Sequence, residues 1–185
     1  MYLLSQVVNE IKDGIVAAIT GVDDVFTALR NAVKNQITGT LKDTGDVAGQ
    51  TLSTVEQVVE GAVVAASGAG MTLVSAAGNS VSAAIASVSE VGGDIVLATN
   101  KAVSGAIKGA AEVGGDIAAV AVSAVEEAVK VAGNLGKSTT DIAREAAVSA
   151  IKAADEISSE TGKAVRSALL STASLPKDII ESAIK

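Results

Sequence analysis

Two nearly identical stretches decide the fold: Val91-Gly92-Gly93-Asp94-Ile95 and Val113-Gly114-Gly115-Asp116-Ile117. They lie twenty-two residues apart, which is twice eleven. When Val91 is followed outward in steps of eleven, the same position is apolar along most of the chain, and from Asp13 onward the position before it is never hydrophobic. The chain therefore carries an eleven-residue repeat, and a repeat of this kind governs the architecture more than any short motif does.

Eleven residues in three turns correspond to about 3.67 residues per turn, which is close to the period of an α-helix. The sequence therefore predicts an all-α protein with an apolar arc about 160° wide. The register holds from Leu3 to Lys185 without insertion or deletion. This constancy favours one very long hendecad helix, or a few collinear helices, up to about 270 Å in length.

A helical hairpin or bundle is the alternative, with turns where glycine is concentrated. The candidate turns are 39–49, 67–70, 92–93, 114–115 and 133–140. In both cases residues 1–185 form a single elongated helical repeat region. Pro176 is the only proline, and it predicts a short terminal helix over 176–185 with Ser174 as its cap.

The repeat assigns an apolar face and one point of close helix approach. Gly105 and Gly109 have the spacing of small residues that lets two helices come close together. The apolar face is predicted to consist of Leu3, Val25, Val47, Val58, Val91, Ile95, Val113, Ile117, Leu135, Ile157 and Ile179.

Composition argues against several classes of function. The chain is 49% hydrophobic but has one Phe, one Tyr and no Trp, His or Cys, so metal, haem and thiol chemistry is not expected and no cofactor is predicted. The net charge of -7 opposes binding to nucleic acid. No signal peptide is predicted, which favours an intracellular or surface-associated protein, and the uncharged run 61–89 is too rich in Gly and Ser for a typical membrane span.

Motifs with catalytic meaning are weak. The run 133–139 contains Gly-Lys-Ser, the end of a phosphate-binding loop, but the first glycine of that motif is replaced by Val131, so a helix end is the better interpretation. Paired carboxylates such as Glu126-Glu127 lack a predicted cleft and are interpreted as a solvated face. Catalytic residues are therefore not assigned, and the protein is predicted not to be an enzyme.

The stretch Glu56-Gln57-Val58-Val59-Glu60-Gly61-Ala62-Val63-Val64-Ala65-Ala66 uses Val, Ala and Gly in the manner of a known class. In period and composition the chain resembles the eleven-residue-repeat helices of synucleins, perilipins, exchangeable apolipoproteins and late-embryogenesis-abundant proteins. The resemblance implies amphipathic helices that cover lipid or another apolar surface.

Together these features predict a non-enzymatic structural protein whose helices assemble side by side into a coat, sheath or filament, with lipid or another apolar body as a candidate surface. Self-assembly into a right-handed helical bundle or filament without lipid is the alternative, and the expected partners are then copies of the chain itself. Ice binding or protection during desiccation is a minor alternative, since Thr40 and Thr51, like Thr161 and Thr172, recur at a spacing of eleven.

Overall fold

The computed structural model describes residues 2–20, 24–44 and 51–185, with side chains for 6–20, 24–42 and 53–185. All regular structure in these ranges is helical, as the sequence predicts. The helices are α1 (Tyr2–Ile19), α2 (Val25–Thr44), α3 (Thr51–Gly68), α4 (Leu73–Glu90), α5 (Ile95–Glu112), α6 (Ile117–Asn134), α7 (Thr139–Ile157), α8 (Ser159–Ser171) and α9 (Lys177–Ile184).

One four-residue turn is used again and again between the central helices. At Val91-Gly92-Gly93-Asp94 the chain leaves α4 through Gly92, whose φ is +76°. The Gly93 amide donates to the Val88 carbonyl at 2.9 Å and the Gly92 amide to the Ser89 carbonyl at 3.1 Å, which is a Schellman ending. Glycines with positive φ recur every twenty-two residues, at Gly70, Gly92, Gly114 and Gly136.

The fourth residue of each turn caps the helix that follows. The Asp94 carboxylate accepts hydrogen bonds from the amides of Val96 and Leu97, which otherwise have no partner in the first turn of a helix. The corresponding caps also recur every twenty-two residues: Thr72, Asp94, Asp116 and Ser138. Glycine to end one helix and a short polar side chain to start the next therefore fix a unit of an eighteen-residue helix and a four-residue turn.

The helices stack in two layers. Among the described residues, each helix contacts only the helices one and two places away along the chain. The odd-numbered helices thus form one row and the even-numbered helices a second row packed against it. This is the quasi-one-dimensional arrangement of a helical repeat protein, in which each unit is stabilised by its neighbours.

The core lies between the rows and within them, and it repeats with the same period. Most of its side chains are Ala and Val, so the helices pack closely and no aromatic residue is needed to fill the space. Two sets of fully or largely buried equivalents are Val81, Val103, Val125 and Ala147, and Ala84, Ala106, Ala128 and Ala150.

The prediction of one very long helix, or of collinear helices, is wrong, and the bundle with turns at glycine-rich points is the observed arrangement. Turns lie at the predicted segments 67–70, 92–93, 114–115 and 133–140, whereas part of 39–49 falls in α2 and the rest lies outside the described residues. The register survives each central turn because helix and turn together always span twenty-two residues. Constant repeat length, rather than an unbroken helix, keeps the pattern in phase.

The carboxyl-terminal end departs from the repeat. Ser158 separates α7 from α8 without a glycine, and α8 is shorter than the central helices. Pro176 stands at the start of α9, where it makes no side-chain cap. Ser174, predicted as that cap, instead bonds through its hydroxyl to the carboxylate of Glu126.

Gly70 in a turn and Gly68 in a helix should respond oppositely to alanine, because an added Cβ meets no other atom at either position and only the backbone conformation differs. Gly70 has a φ of +80° with no atom within 4 Å of an added Cβ, so Gly70→Ala should destabilise the protein by about 1 to 2 kcal/mol through backbone strain alone. Gly68, the last residue of α3, also has open space around an added Cβ but no positive φ. Gly68→Ala should therefore stabilise by about 0.5 to 1 kcal/mol. Urea denaturation of both variants tests this, and equal effects at the two positions would contradict the turn.

Candidate functional site

The closest helix approach lies in the odd row, between α3 and α5. An added Cβ at Gly105 would overlap the carbonyl oxygen of Glu56, and one at Gly109 would lie 2.8 Å from the carbonyl oxygen of Glu60. Both contacts are with backbone, which cannot turn aside as a side chain does. Glycine at these two positions is what allows α5 to lie directly on α3, and the structure thus places the predicted pair at a point of helix contact within one chain.

A partly buried ionic cluster centres on Glu56 at this interface. Its carboxylate contacts the ammonium groups of Lys101, at 3.4 Å, and Lys108, and it accepts a hydrogen bond of 3.0 Å from the Ser104 hydroxyl. These three partners lie on one face of α5 at successive turns. Since one carboxylate bonds all three, a shift of α5 along α3 by one turn would break the cluster, so Glu56 fixes the register of the two helices.

The same polar contact recurs one repeat pair later. The Asn100 side-chain amide of α5 donates to the Glu145 carboxylate of α7 at 2.7 Å. Asn100 and Glu145 each lie forty-four residues beyond Glu56 and Lys101, so the contact occupies the same place in the next pair of odd helices. The pairs α3–α5 and α5–α7 therefore carry a polar contact at the same place.

The pKa values of Glu56 and its neighbour Glu60 are shifted in opposite directions. Burial acts to raise the pKa of Glu56, but the hydrogen bond and charge of Lys108, with Ser104 and Lys101, outweigh it and hold that pKa below its ordinary value. Burial and the negative charge of Glu112 raise the pKa of Glu60. Both carboxyl groups border a cavity of about 470 Å³ beside α1, which gives the odd row an anionic groove.

The first helix exposes a face that later helices bury. Gly14, Ala17 and Ala18 of α1 are exposed. The equivalent positions in the later odd helices follow at intervals of forty-four residues, and all of them are buried. They are Val58, Gly61 and Ala62 in α3, Ala102, Gly105 and Ala106 in α5, and Ala146, Ser149 and Ala150 in α7. In those helices the face packs on the preceding odd helix. In α1 no helix of the described residues takes that place, so within the described part of the chain the amino-terminal end of the stack is open.

The predicted apolar face divides according to position in the repeat unit. In the middle of a helix it is buried, as at Val58 with 1% exposure, and Ile95, the first residue of α5, is 9% exposed. Ile157, at the end of α7, is 43% exposed. The other described residues of this face lie in turns or near helix ends and are half buried: Val25, Val91, Val113, Ile117, Leu135 and Ile179. The side chain of Leu3 and all of Val47 lie outside the described residues.

Sequence reasoning did not find the Glu56 cluster or the open face of α1. A signal for the face of α1 was present in a period of forty-four, which places glycine or serine at 61, 105 and 149 with larger residues at the equivalent positions of the helices between them. A stripe read only in steps of eleven merges odd and even helices and hides this difference.

Two features are absent from the part of the chain that the structure describes. Within the residues whose side chains are described, no three metal-binding side chains of the His, Cys, Asp or Glu type come together to hold an ion. In the same ranges, none of the helices combines the length and apolar character needed to cross a bilayer.

Comparison with protein-family models, with curated proteins and with solved structures gives no match. The resemblance to eleven-residue-repeat proteins therefore stays a prediction, and the function has to be inferred from the geometry of the stack.

A single added methyl group should separate α3 from α5. Gly105→Ala should destabilise the protein by about 1 to 3 kcal/mol, because overlap with the Glu56 backbone exceeds the gain in helix propensity. Gly133→Ala in α6 is the matched control, since its Cβ would meet only Thr139 Cγ2, at 3.6 Å, and it should be neutral or stabilising. Thermal denaturation measures both, and a stable Gly105→Ala variant would refute the close approach.

The charged forms of Glu56 and Glu60 should have opposite effects on the free energy of unfolding. A lowered pKa at Glu56 means that its charged form stabilises the fold at neutral pH, and this contribution is lost as pH falls through the folded-state pKa. A raised pKa at Glu60 means that its charged form destabilises the fold at neutral pH, and this penalty is relieved as pH falls through the raised pKa towards the ordinary value of 4.5.

At neutral pH, Glu56→Gln should therefore lower the urea midpoint, by about 1 to 2 kcal/mol in stability, because it removes charged hydrogen bonds. Glu60→Gln should raise it. Both differences from wild type should shrink near about pH 4, where carboxylates begin to protonate. Equal effects of the two variants at both pH values would contradict the assignment.

Proposed function

We propose that this chain is a non-enzymatic structural protein that assembles with copies of itself through the open amino-terminal end of its helix stack. The exposed face of α1 at Gly14, Ala17 and Ala18 is the observation that supports it. The helices α3, α5 and α7 bury the equivalent face against other helices of the same chain. A second copy of the chain offers the same face of small residues on its own α1, and the two faces can cover each other.

The sizes involved fit a specific but modest contact. A helix of eighteen residues is about 27 Å long, and two neighbouring helices are about 20 Å wide. The end layer formed by α1 and α2 would therefore bury on the order of 1,000 Å² counted over both partners, at the lower limit of specific interfaces. Association through this layer alone should accordingly depend on concentration.

The two ends of the stack differ, which favours contact between two amino-terminal ends. The far end is closed by the short helices α8 and α9, and α8 turns polar residues such as Glu160, Lys163 and Ser167 outward, as terminal caps of repeat proteins do. In an antiparallel pair of α1 helices centred near Gly14, the exposed Glu10 lies opposite Ala18 of the second copy, so the carboxylates do not meet. A two-fold dimer is the assembly that such a self-complementary patch forms.

The coat, sheath or filament forms of this assembly require a second contact beyond the open end. A lipid-covered form has less support than the repeat pattern suggested, because neighbouring helices of the same chain cover most of the described apolar arc. Helix formation then needs no lipid. Electron microscopy for filaments and flotation with neutral-lipid vesicles separate these forms from a closed dimer.

A charge placed on the open face should prevent self-association. Ala17→Glu should shift the protein from dimer to monomer in sedimentation velocity, with the dissociation constant weakened by about tenfold or more, because a buried carboxylate in the interface has no partner. Its helix content by circular dichroism should not change, since Ala17 is exposed in the single chain.

Ala164→Glu is the control, because Ala164 is an exposed alanine in α8 at the opposite end of the stack. It should leave the dimer intact. A wild-type protein that stays monomeric up to millimolar concentration, or an equal loss of association in both variants, would refute the proposal.

A further inference from the structure

The groove between α5 and α7 opens into a small cavity on the outer surface of the odd row. Its volume is about 140 Å³, which is space for several water molecules or one tetrahedral oxyanion. Lysines dominate its lining: Lys101 and Lys108 from α5 and Lys152 from α7, against the carboxylates of Glu56 and Glu156. The lining therefore carries a net positive charge in a protein whose net charge is -7.

Ser149 lines this cavity with an unsatisfied hydroxyl. The residue is 3% exposed, and its Oγ has no hydrogen-bond partner within the described part of the chain. It occupies the place of Gly61 and Gly105 in the two preceding odd helices, where a glycine permits direct helix contact. A serine at this one point brings a hydroxyl group to the wall between two helices, and a buried hydroxyl without a partner is costly unless a ligand or water bonds to it.

The three lysines differ in how far their charges are paired with carboxylates. Lys108 is held by Glu56, but the contact of Lys101 with the same carboxylate is 3.4 Å. Lys152 is exposed and makes no ion pair with any described residue. Both carboxylate oxygens of Glu56 already accept from these lysines or from Ser104, so an incoming anion would meet donors rather than a free carboxylate.

We propose that this cavity binds a small oxyanion of the phosphate class, held by Lys152 and Lys101 and by the hydroxyl of Ser149. Lysine binds phosphate as a point charge, and hydroxyl groups supply the directed hydrogen bonds that fix a tetrahedral anion. Binding here is independent of self-association through α1, because the cavity lies between α5 and α7 and uses none of the residues of the open face.

Inorganic phosphate is the probe, titrated at constant ionic strength and neutral pH. Saturable binding should raise the melting temperature and shift the backbone amide resonances of Ser149 and Ala153, since a ligand that binds the folded state stabilises it. Lys152→Met should weaken binding by about tenfold, as expected for the loss of one charge-assisted bond. Ser149→Ala should weaken it as well while leaving the protein folded, because alanine keeps the packing of the Cβ.

Lys163→Met is the matched control, since Lys163 is an exposed lysine on α8 away from the cavity. It should bind phosphate as the wild type does. The proposal is overturned if sodium chloride at the same ionic strength stabilises the protein equally, if the shifts do not saturate, or if all three variants respond alike.

Discussion

The structure depends on a turn of constant length. Each central helix is followed by a glycine in the left-handed conformation, and the polar cap of the next helix lies two residues after that glycine. This chemistry satisfies amide and carbonyl groups that a helix end leaves without partners. The same turn also sets the orientation of each helix relative to the next, and because the turn recurs, that orientation is repeated along the stack.

Small side chains determine how the helices then pack. Because Ala, Val and Gly dominate the buried positions, the rows come close and gain contact between backbones as well as side chains. Such a core buries little apolar area per residue, so each helix is stabilised mainly by its contacts with the neighbouring helices. Glu56 adds what apolar packing lacks, a directional contact that fixes one helix against the next.

The ends and the irregular positions are where a function is best sought in such a repeat. Inside the stack a residue that follows the period is explained by packing. A residue that breaks it needs another reason: Ala17 lies exposed where its equivalents are buried, and Ser149 stands where the preceding odd helices have glycine. From the first break we infer a partner that covers the end of the stack, and from the second a ligand between two helices. Both inferences come from comparing equivalent positions within one chain.

The sequence by itself determined that the protein is helical, which positions repeat, and where glycine would interrupt the helices. These are local properties, since helix propensity, caps and the conformational freedom of Gly92 act over a few residues. It did not determine whether the helix continues or folds back, because a turn unit that preserves a multiple of eleven leaves the same pattern as an unbroken helix. The tertiary structure decided that Val58 is covered by other helices of its own chain, that Glu56 contacts α5, and that the face of α1 is left open. Those outcomes depend on which helices, distant in sequence, contact each other. The spacing of residues along the chain does not specify these contacts.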